Sequence, residues 1–415
     1  MNNEENRGRS KGNLKQKSLY QQRDMKRICF LVDSIFSIGG VQRVTAVIAK
    51  ELAKTYDVTI VTFDHPKDKD TSLYELDESP IHYRFFAYPS VGSIYQKICK
   101  AYSGFYLKYG LQSKWASNIY ARSSFPTPLR KALTKELREG NYDIIVGVHA
   151  PLAGRLATMK RDLPQAKCIG WIHNSFKALF GEKFIYIGAT RKRHYIYQFR
   201  KLDHTIVLCE HDAETYNQYD SAFKPLVIYN PLTLKPGTPS SGTTKTFLAV
   251  GRFTHQHKGF DLLIEAFHLF SQKNQEWTLD IVGEGVEEEL LRTLIKKYNL
   301  EDRVTIHPFT NQIQKHYSKA QVYVLSSRWE GMPLVLVEAM SHGLPIITSD
   351  LPVSQEILGD FGLYFKNGDI KDLAERLEEA THIDWHQKSQ KAFEIAKRFD
   401  IDHIIDRWKD LIEHD

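Results

Sequence analysis

The feature that most constrains this chain of 415 residues is an alternation that runs through it twice. Short apolar runs of strand length are followed by segments with apolar residues at helical spacing. KRICFLV (26–32) precedes the loop SIFSIGG and then VQRVTAVIAKELAKT (41–55), in which Val41, Val44, Val47, Ile48 and Leu52 recur at helical spacing. DVTIVTF (57–63) follows as the next strand. This is a βαβ unit, and βαβ units imply a parallel sheet. DIIVGV (143–148), KCIGWI (167–172), HTIVLC (204–209) and PLVIY (225–229) are further buried-strand candidates.

Residues 230–245, NPLTLKPGTPSSGTTK, hold three prolines and two glycines among small polar residues, which is linker composition. The alternation then restarts. TFLAVG (246–251), TLDIVG (278–283), VTIHPF (304–309), QVYVLS (321–326) and LPIITS (344–349) read as strands. DLLIEAFHLF (261–270), VEEELLRTLIKKY (286–298) and PLVLVEAMSHG (333–343) read as helices, and 370–415 as helices with no further strand. The expected organisation is a disordered basic tail (1–24), a first doubly wound domain (25–230), a linker (231–245), a second such domain (246–398) and a final helix (399–415). Two such domains facing each other create a cleft, and open α/β sheets bind ligands at the carboxyl ends of their strands.

The charge is uneven. The chain carries +6 in all, but residues 28–231 carry +8 and residues 232–415 carry −7, the tail supplying the rest. Residues 79–135 break the alternation: they hold nine Lys/Arg, no acid and twelve aromatics. A second basic stretch follows at 183–201. The four cysteines (Cys29, Cys99, Cys168, Cys209) form no CxxC pair and no zinc pattern, so reduced thiols in a cytoplasm are expected. No apolar run approaches the roughly 20 residues of a membrane span. The N-terminus lacks the apolar core of a secretory signal.

Four segments carry chemistry. In RWEGMPLVLVEAMSHGLPII (328–347), Glu330 and Glu338 stand eight positions apart, just over two turns, so one helix would turn both carboxylates the same way. Gly331 allows close backbone approach, and Pro333 suits a first turn. The N–H groups of Met332, Leu334 and Val335 would then point out of a helix N-terminus, where the dipole favours phosphate. Glu338 lies in an apolar run, where a bare charge is costly. In VGRFTHQHKGFDLLIEAF (250–267), Arg252 and Lys258 on a strand-to-helix loop make a cationic cradle for phosphate, although a solvated loop fits that segment equally. The loop 34–43 lacks GxGxxG, which disfavours a nicotinamide cofactor. Its Gly39-Gly40 pair permits close approach to a ligand or simply makes a tight turn. His173 follows the strand 167–172, and His149 follows the strand 143–148, each at the ligand-binding end or in a structural role.

In their order and spacing, Glu330-x7-Glu338, Arg252, Lys258-Gly259 and VGEG (282–285) resemble a retaining glycosyltransferase of family 4, with the two-domain GT-B fold. The resemblance covers nearly all of 26–415 and is weakest over 79–135. It implies transfer of a hexose or N-acetylhexosamine from a nucleotide-sugar, expected to be UDP-linked, to a glycan or lipid-linked saccharide in bacterial surface polysaccharide synthesis. By the resemblance Arg252 and Lys258 hold the diphosphate, Glu338 the ribose and Glu330 the sugar ring. Gly331, Met332, Leu334 and Val335 grip sugar and phosphate. His173 lies beside the anomeric carbon, the base rests near Pro308, Phe309 and Thr310, Gly283 belongs to the donor-binding set, and Gly39 and Gly40 approach donor or acceptor. The family pattern also has the final helix crossing back to the first domain.

Arg252, Lys258 and a helix N-terminus can stabilise a departing diphosphate, so no cofactor and no metal are expected. The basic aromatic stretch suits an anionic membrane surface, through Trp115, Tyr102, Tyr106, Tyr109, Lys97, Lys100, Lys108, Lys114, Arg191, Lys192 and Arg193. A cytoplasmic enzyme, peripheral at the inner membrane face, is expected. No nucleic-acid motif accompanies the basic stretch, so nucleic acid is not an expected partner. The alternative is an inactive sugar-nucleotide-binding partner of a transferase complex, which would not need all of these residues intact.

Overall fold

The computed structural model describes residues 25–110, 113–181, 186–235, 237–254 and 257–414. The disordered tail expected at 1–24 lies outside the described residues. Two parallel sheets organise the chain. The first holds β1 (Arg27–Val32), β2 (Asp57–Thr62), β3 (His82–Phe85), β4 (Ile144–Val148), β5 (Lys167–Trp171), β6 (His204–Val207) and β7 (Leu226–Val227), in the order β3-β2-β1-β4-β5-β6-β7. The second holds β8 (Thr246–Val250), β9 (Thr278–Val282), β10 (Val304–His307), β11 (Val322–Leu325), β12 (Ile346–Ser349) and β13 (Leu363–Phe365), in the order β10-β9-β8-β11-β12-β13. Every described pairing is parallel; β1 runs beside β2 with Arg27 opposite Asp57, and β10 beside β9 with Val304 opposite Leu279.

The strands are apolar almost throughout because helices cover both faces of such sheets. Ile28 to Leu31 and Ile145 are fully buried, as are Leu279, Ile281 and Ile347. Beneath the second sheet, Phe247 stacks on Trp277 at 4.6 Å between centroids, and Phe267 and Phe270 close the layer. The four cysteines are buried thiols with no disulfide.

The chain divides into two compact units. One runs up to Trp171 and adds Arg193–Thr205; the other comprises Ile172–Lys192 and Ile206–Asp415. The final helix, Ile401–Glu413, lies in the second unit, where Arg407 donates to the carbonyl of Val227 on β7 at 3.2 Å.

Within 79–135 the structure shows more than a broken alternation. It supplies the edge strand β3, then the helices Ser93–Tyr109, Lys114–Ser124 and Thr127–Glu139, the last ending past 135. Tyr106 is buried and stacks on Tyr120 at 4.3 Å, so it belongs to a small core and not to the surface expected of it. Among the described residues no helix is long and apolar enough to cross a membrane.

Candidate functional site

In the second sheet the strand order reverses between β8 and β11. Loops leaving such neighbours diverge to opposite faces and open a crevice at the carboxyl edge. The loop after β8 carries Arg252, His257 and Lys258; the loop after β11 carries Ser327, Arg328 and Glu330. The two loops are joined at that point. Lys258 Nζ donates to Glu330 Oε1 at 2.6 Å, and Ser327 Oγ donates to the same oxygen at 2.6 Å. His257 Nε2 stands 3.7 Å from Glu330 Oε2.

Glu330 is only 8% exposed. Burial by itself would push its carboxyl up, but Lys258, His257 and Ser327 outweigh that and hold it below the ordinary value. It is therefore a fixed, ionised carboxylate. His257 is held below its ordinary value by burial, against the opposing pull of Glu330. Its ring stacks on Trp329 at 4.7 Å, and its Nε2 lies 2.7 Å from the Trp329 carbonyl. Arg328 clamps the loop with a fork of two bonds to Asp261, 2.8 and 2.6 Å, while its backbone N–H donates to the His257 carbonyl. Arg252 is exposed and, with Lys258, Gly259, Phe260, Asp261 and Glu287, lines a recess.

Glu338 sits on the helix Leu334–Met340 and is 1% exposed. Tyr317 Oη donates to its Oε2 at 3.0 Å and Thr233 Oγ1 to its Oε1 at 3.3 Å. His342 stacks on Tyr317 and places Nδ1 2.8 Å from the Glu338 carbonyl. Glu330 does not share this helix: it lies in the loop before Pro333, which takes the N-cap position. The expectation of two carboxylates on one helical face is corrected accordingly; the loop and the helix position them separately. Met332 and Leu334 are buried, and the Met332 sulfur accepts the Asn230 backbone N–H at 3.0 Å.

Gly259 and Gly331 are required by geometry. Gly259 has φ +64°, and a Cβ there would strike the Ser326 carbonyl. A Cβ on Gly331 would strike the carbonyl of His173. His173, 6% exposed, thus lies with its backbone against the Glu330-Gly331 turn, just after β5 and before the Ser175 cap of helix Phe176–Phe180. Gly283 follows β9, and Pro308 and Phe309 follow β10, both exposed, so they share the carboxyl edge with Arg252.

Gly39 and Gly40 lie in the other unit, at the start of helix Gly40–Leu52 after β1. Tyr74 braces them, its Oη lying 2.9 Å from the Gly39 N–H and 2.9 Å from the Ser37 carbonyl. The first sheet reverses between β1 and β4, and after β4 stands His149 at φ +73° and ψ 152°, a backbone conformation rare for a residue with a side chain.

Sequence reasoning missed His257, Tyr317 and Tyr74. His257 was within reach, since it adjoins Lys258 on the same loop. Tyr317 lies 21 residues from the Glu338 it holds and Tyr74 lies 35 residues from Gly39, and no local pattern signals either contact.

Comparison with known proteins follows the same lines. Residues 38–235 match the family described as Glycosyltransferase Family 4, and residues 233–399 match Glycosyl transferases group 1. An uncharacterized glycosyltransferase of Haemophilus influenzae is 28% identical over 94% of this chain and all of its own length. The amylovoran biosynthesis glycosyltransferase AmsD of Erwinia amylovora is 24% identical over the same shares. Among solved structures, Anabaena HepE in complex with UDP-glucose superposes with a TM-score of 0.71 at 20% identity, over 93% of this chain and 99% of that one. The paired sheets, the joined loops at the second sheet's reversal and these matches together place the chain in the GT-B glycosyltransferases of the family 4, group 1 type.

Proposed function

We propose that this glycosyltransferase takes a hexose or N-acetylhexosamine from a UDP-linked donor and passes it, with retention at the anomeric carbon, to a glycan or lipid-linked saccharide in surface polysaccharide synthesis. The observation that carries the reading is the Lys258–Glu330 pair at the carboxyl edge of the second sheet. A relative named for amylovoran biosynthesis and a structural neighbour holding UDP-glucose support the acceptor class and the donor.

The chemistry follows from residue types. Departure of the nucleotide builds negative charge on the diphosphate. Arg252, exposed beside the recess, and Lys258 supply the opposing charge. Lys258 then exchanges a carboxylate partner for phosphate oxygens, which leaves Glu330 free to accept from sugar hydroxyls. Glu338, already oriented by Tyr317 and Thr233, accepts from the ribose. His173 supports the reacting centre, and the acceptor's proton goes to the leaving phosphate. With two cations at hand, transfer proceeds without a divalent metal. Gly283, Pro308 and Phe309 flank the nucleoside, and the 331–335 segment grips the sugar and phosphate.

The test is a screen of UDP-, GDP- and dTDP-sugars for slow hydrolysis by the full chain, with excess chelator in a parallel arm. Hydrolysis of a UDP-sugar that survives chelator and disappears in Lys258→Ala and Glu330→Ala is expected. Full activity in both variants would overturn the site assignment, and loss in chelator restored by magnesium would overturn metal independence.

A second feature points to where the enzyme works. Helix Ser93–Tyr109 and the start of Lys114–Ser124 expose Ile94 (75%), Ile98 (61%), Phe105 (50%), Tyr109 (58%) and Trp115 (72%). Lys97, Lys100, Lys108 and Lys114 are exposed among them, with no acid in the stretch. Apolar anchors rimmed by lysine fit an anionic bilayer surface, at the cytoplasmic face where nucleotide-sugars are made. Lys192 is otherwise engaged, over the rings of Phe176 and Tyr219.

A further inference from the structure

Asp280, His307 and His316 meet on one side of the second sheet. In the parallel β9–β10 register, Thr305 stands opposite Asp280, and His307 is two residues beyond Thr305. Residues two apart on a strand share a face, so Asp280 and His307 project to the same side. There the helix Gln314–Lys319 lays down His316. His307 Nε2 lies 3.2 Å from Asp280 Oδ1, and the two imidazole centroids are 4.8 Å apart. One ligand-type atom from each residue lies within 4.8 Å of the others, and among the described residues this is the one such group of three. His307 Nε2 is shielded from solvent yet makes no hydrogen bond, its approach to Asp280 lacking hydrogen-bond geometry. A shielded imidazole nitrogen that makes no hydrogen bond calls for an explanation.

We propose that these three residues bind one divalent transition-metal ion of the zinc class, through a ring nitrogen of each histidine and an Asp280 carboxylate oxygen. Tetrahedral zinc with nitrogen and oxygen ligands sets those ligands about 3.3 Å apart. The Asp280–His307 edge already has that length. Two imidazoles with one carboxylate select zinc or cobalt over magnesium or calcium. All three side chains are only part-buried, so an ion can enter, and water completes the fourth position. The ion fastens the helix Gln314–Lys319 to β9 and β10. That helix also carries Tyr317, the residue holding Glu338. The ion takes no part in transfer, and the proposal stands apart from the transfer chemistry.

The experiment uses the full chain without an affinity tag, stripped by chelator and then titrated with Co2+. Expected are visible bands of tetrahedral intensity saturating at one equivalent, displacement by Zn2+, and a rise in Tm with zinc but not with magnesium. His316→Ala and the near-isosteric Asp280→Asn should each weaken Co2+ binding by at least about tenfold. Substituting His382, an exposed histidine elsewhere, should change nothing. The absence of bands and of a zinc-dependent Tm shift overturns the proposal, as does equal binding by Asp280→Asn, whose fold is checked by circular dichroism.

Discussion

Lys258 Nζ lies 2.6 Å from Glu330 Oε1, so the cation expected at a diphosphate and the carboxylate expected at a sugar are each other's partner. Lys258→Ala should leave Glu330 buried without its main countercharge, a change that typically costs about 3–5 kcal/mol. Transfer should fall by about 10²-fold or more. A Lys258→Met/Glu330→Gln double variant separates the two effects: its Tm should recover most of the loss while its transfer rate does not.

Acid should expose the same pair. Glu330 has a folded-state value below its unfolded one, so its contribution is fully present above the unfolded value, about 4.3. It fades as pH falls through the lower folded value. Wild type should therefore lose more stability than Glu330→Gln on acidification below about pH 4.3, read as Tm against pH.

Gly331→Ala should damage the site by a different route. The new methyl meets the His173 carbonyl, which is backbone and cannot swing aside, and overpacking of this kind costs about 1–3 kcal/mol. Gly104→Ala is the control. It lies inside helix Ser93–Tyr109 with open space at its Cβ, so Tm should rise slightly, in line with about 0.5–1 kcal/mol.

Asp212 offers the opposite pH sign. Burial raises its carboxyl to about 6, against the bond it accepts from the Phe176 N–H. A raised acid takes up its proton more readily in the folded state, so stability falls as pH rises from about 4 to about 6. Above that window the ionised group costs up to about 3 kcal/mol. Asp212→Asn keeps an acceptor for Phe176 and should raise Tm at pH 7.5 while flattening the slope between pH 4 and 6.

The lysine-rimmed helix should bind vesicles of anionic phospholipid and not neutral ones, with affinity falling as salt rises. Ile98→Asp together with Trp115→Ala should abolish flotation with vesicles while donor hydrolysis in solution stays unchanged. Retention of binding in that variant would remove the membrane reading.

Both sheets were legible because a buried parallel strand is a nearly unbroken apolar run. The runs at 26–32, 57–63, 246–251 and 278–283 end within a residue of their strands. β3 and β13 escaped: HYRF is half-exposed at a sheet edge, and LYF has three residues. Arg252, Lys258, Glu330 and Glu338 stood out because charge beside apolar strand ends is conspicuous. The partners of Glu338 were not legible, since Tyr317 and Thr233 reach it through the fold rather than along the chain. The count of eight positions from Glu330 to Glu338 suggested one helix, but Pro333 withholds the N–H that would continue it upstream, and the helix begins only at Leu334.

The helix Leu334–Met340 has seven residues, too few to persist by its own hydrogen bonds. It exists because Leu336, Val337, Ala339 and Met340 are sealed into the protein interior. The grip on the donor proposed for it would thus be borrowed from the cooperativity of the whole sheet. Such an element cannot fray while its surroundings stay native, and a bound nucleotide that engages it should hold back global unfolding, with the midpoint climbing as the logarithm of nucleotide concentration.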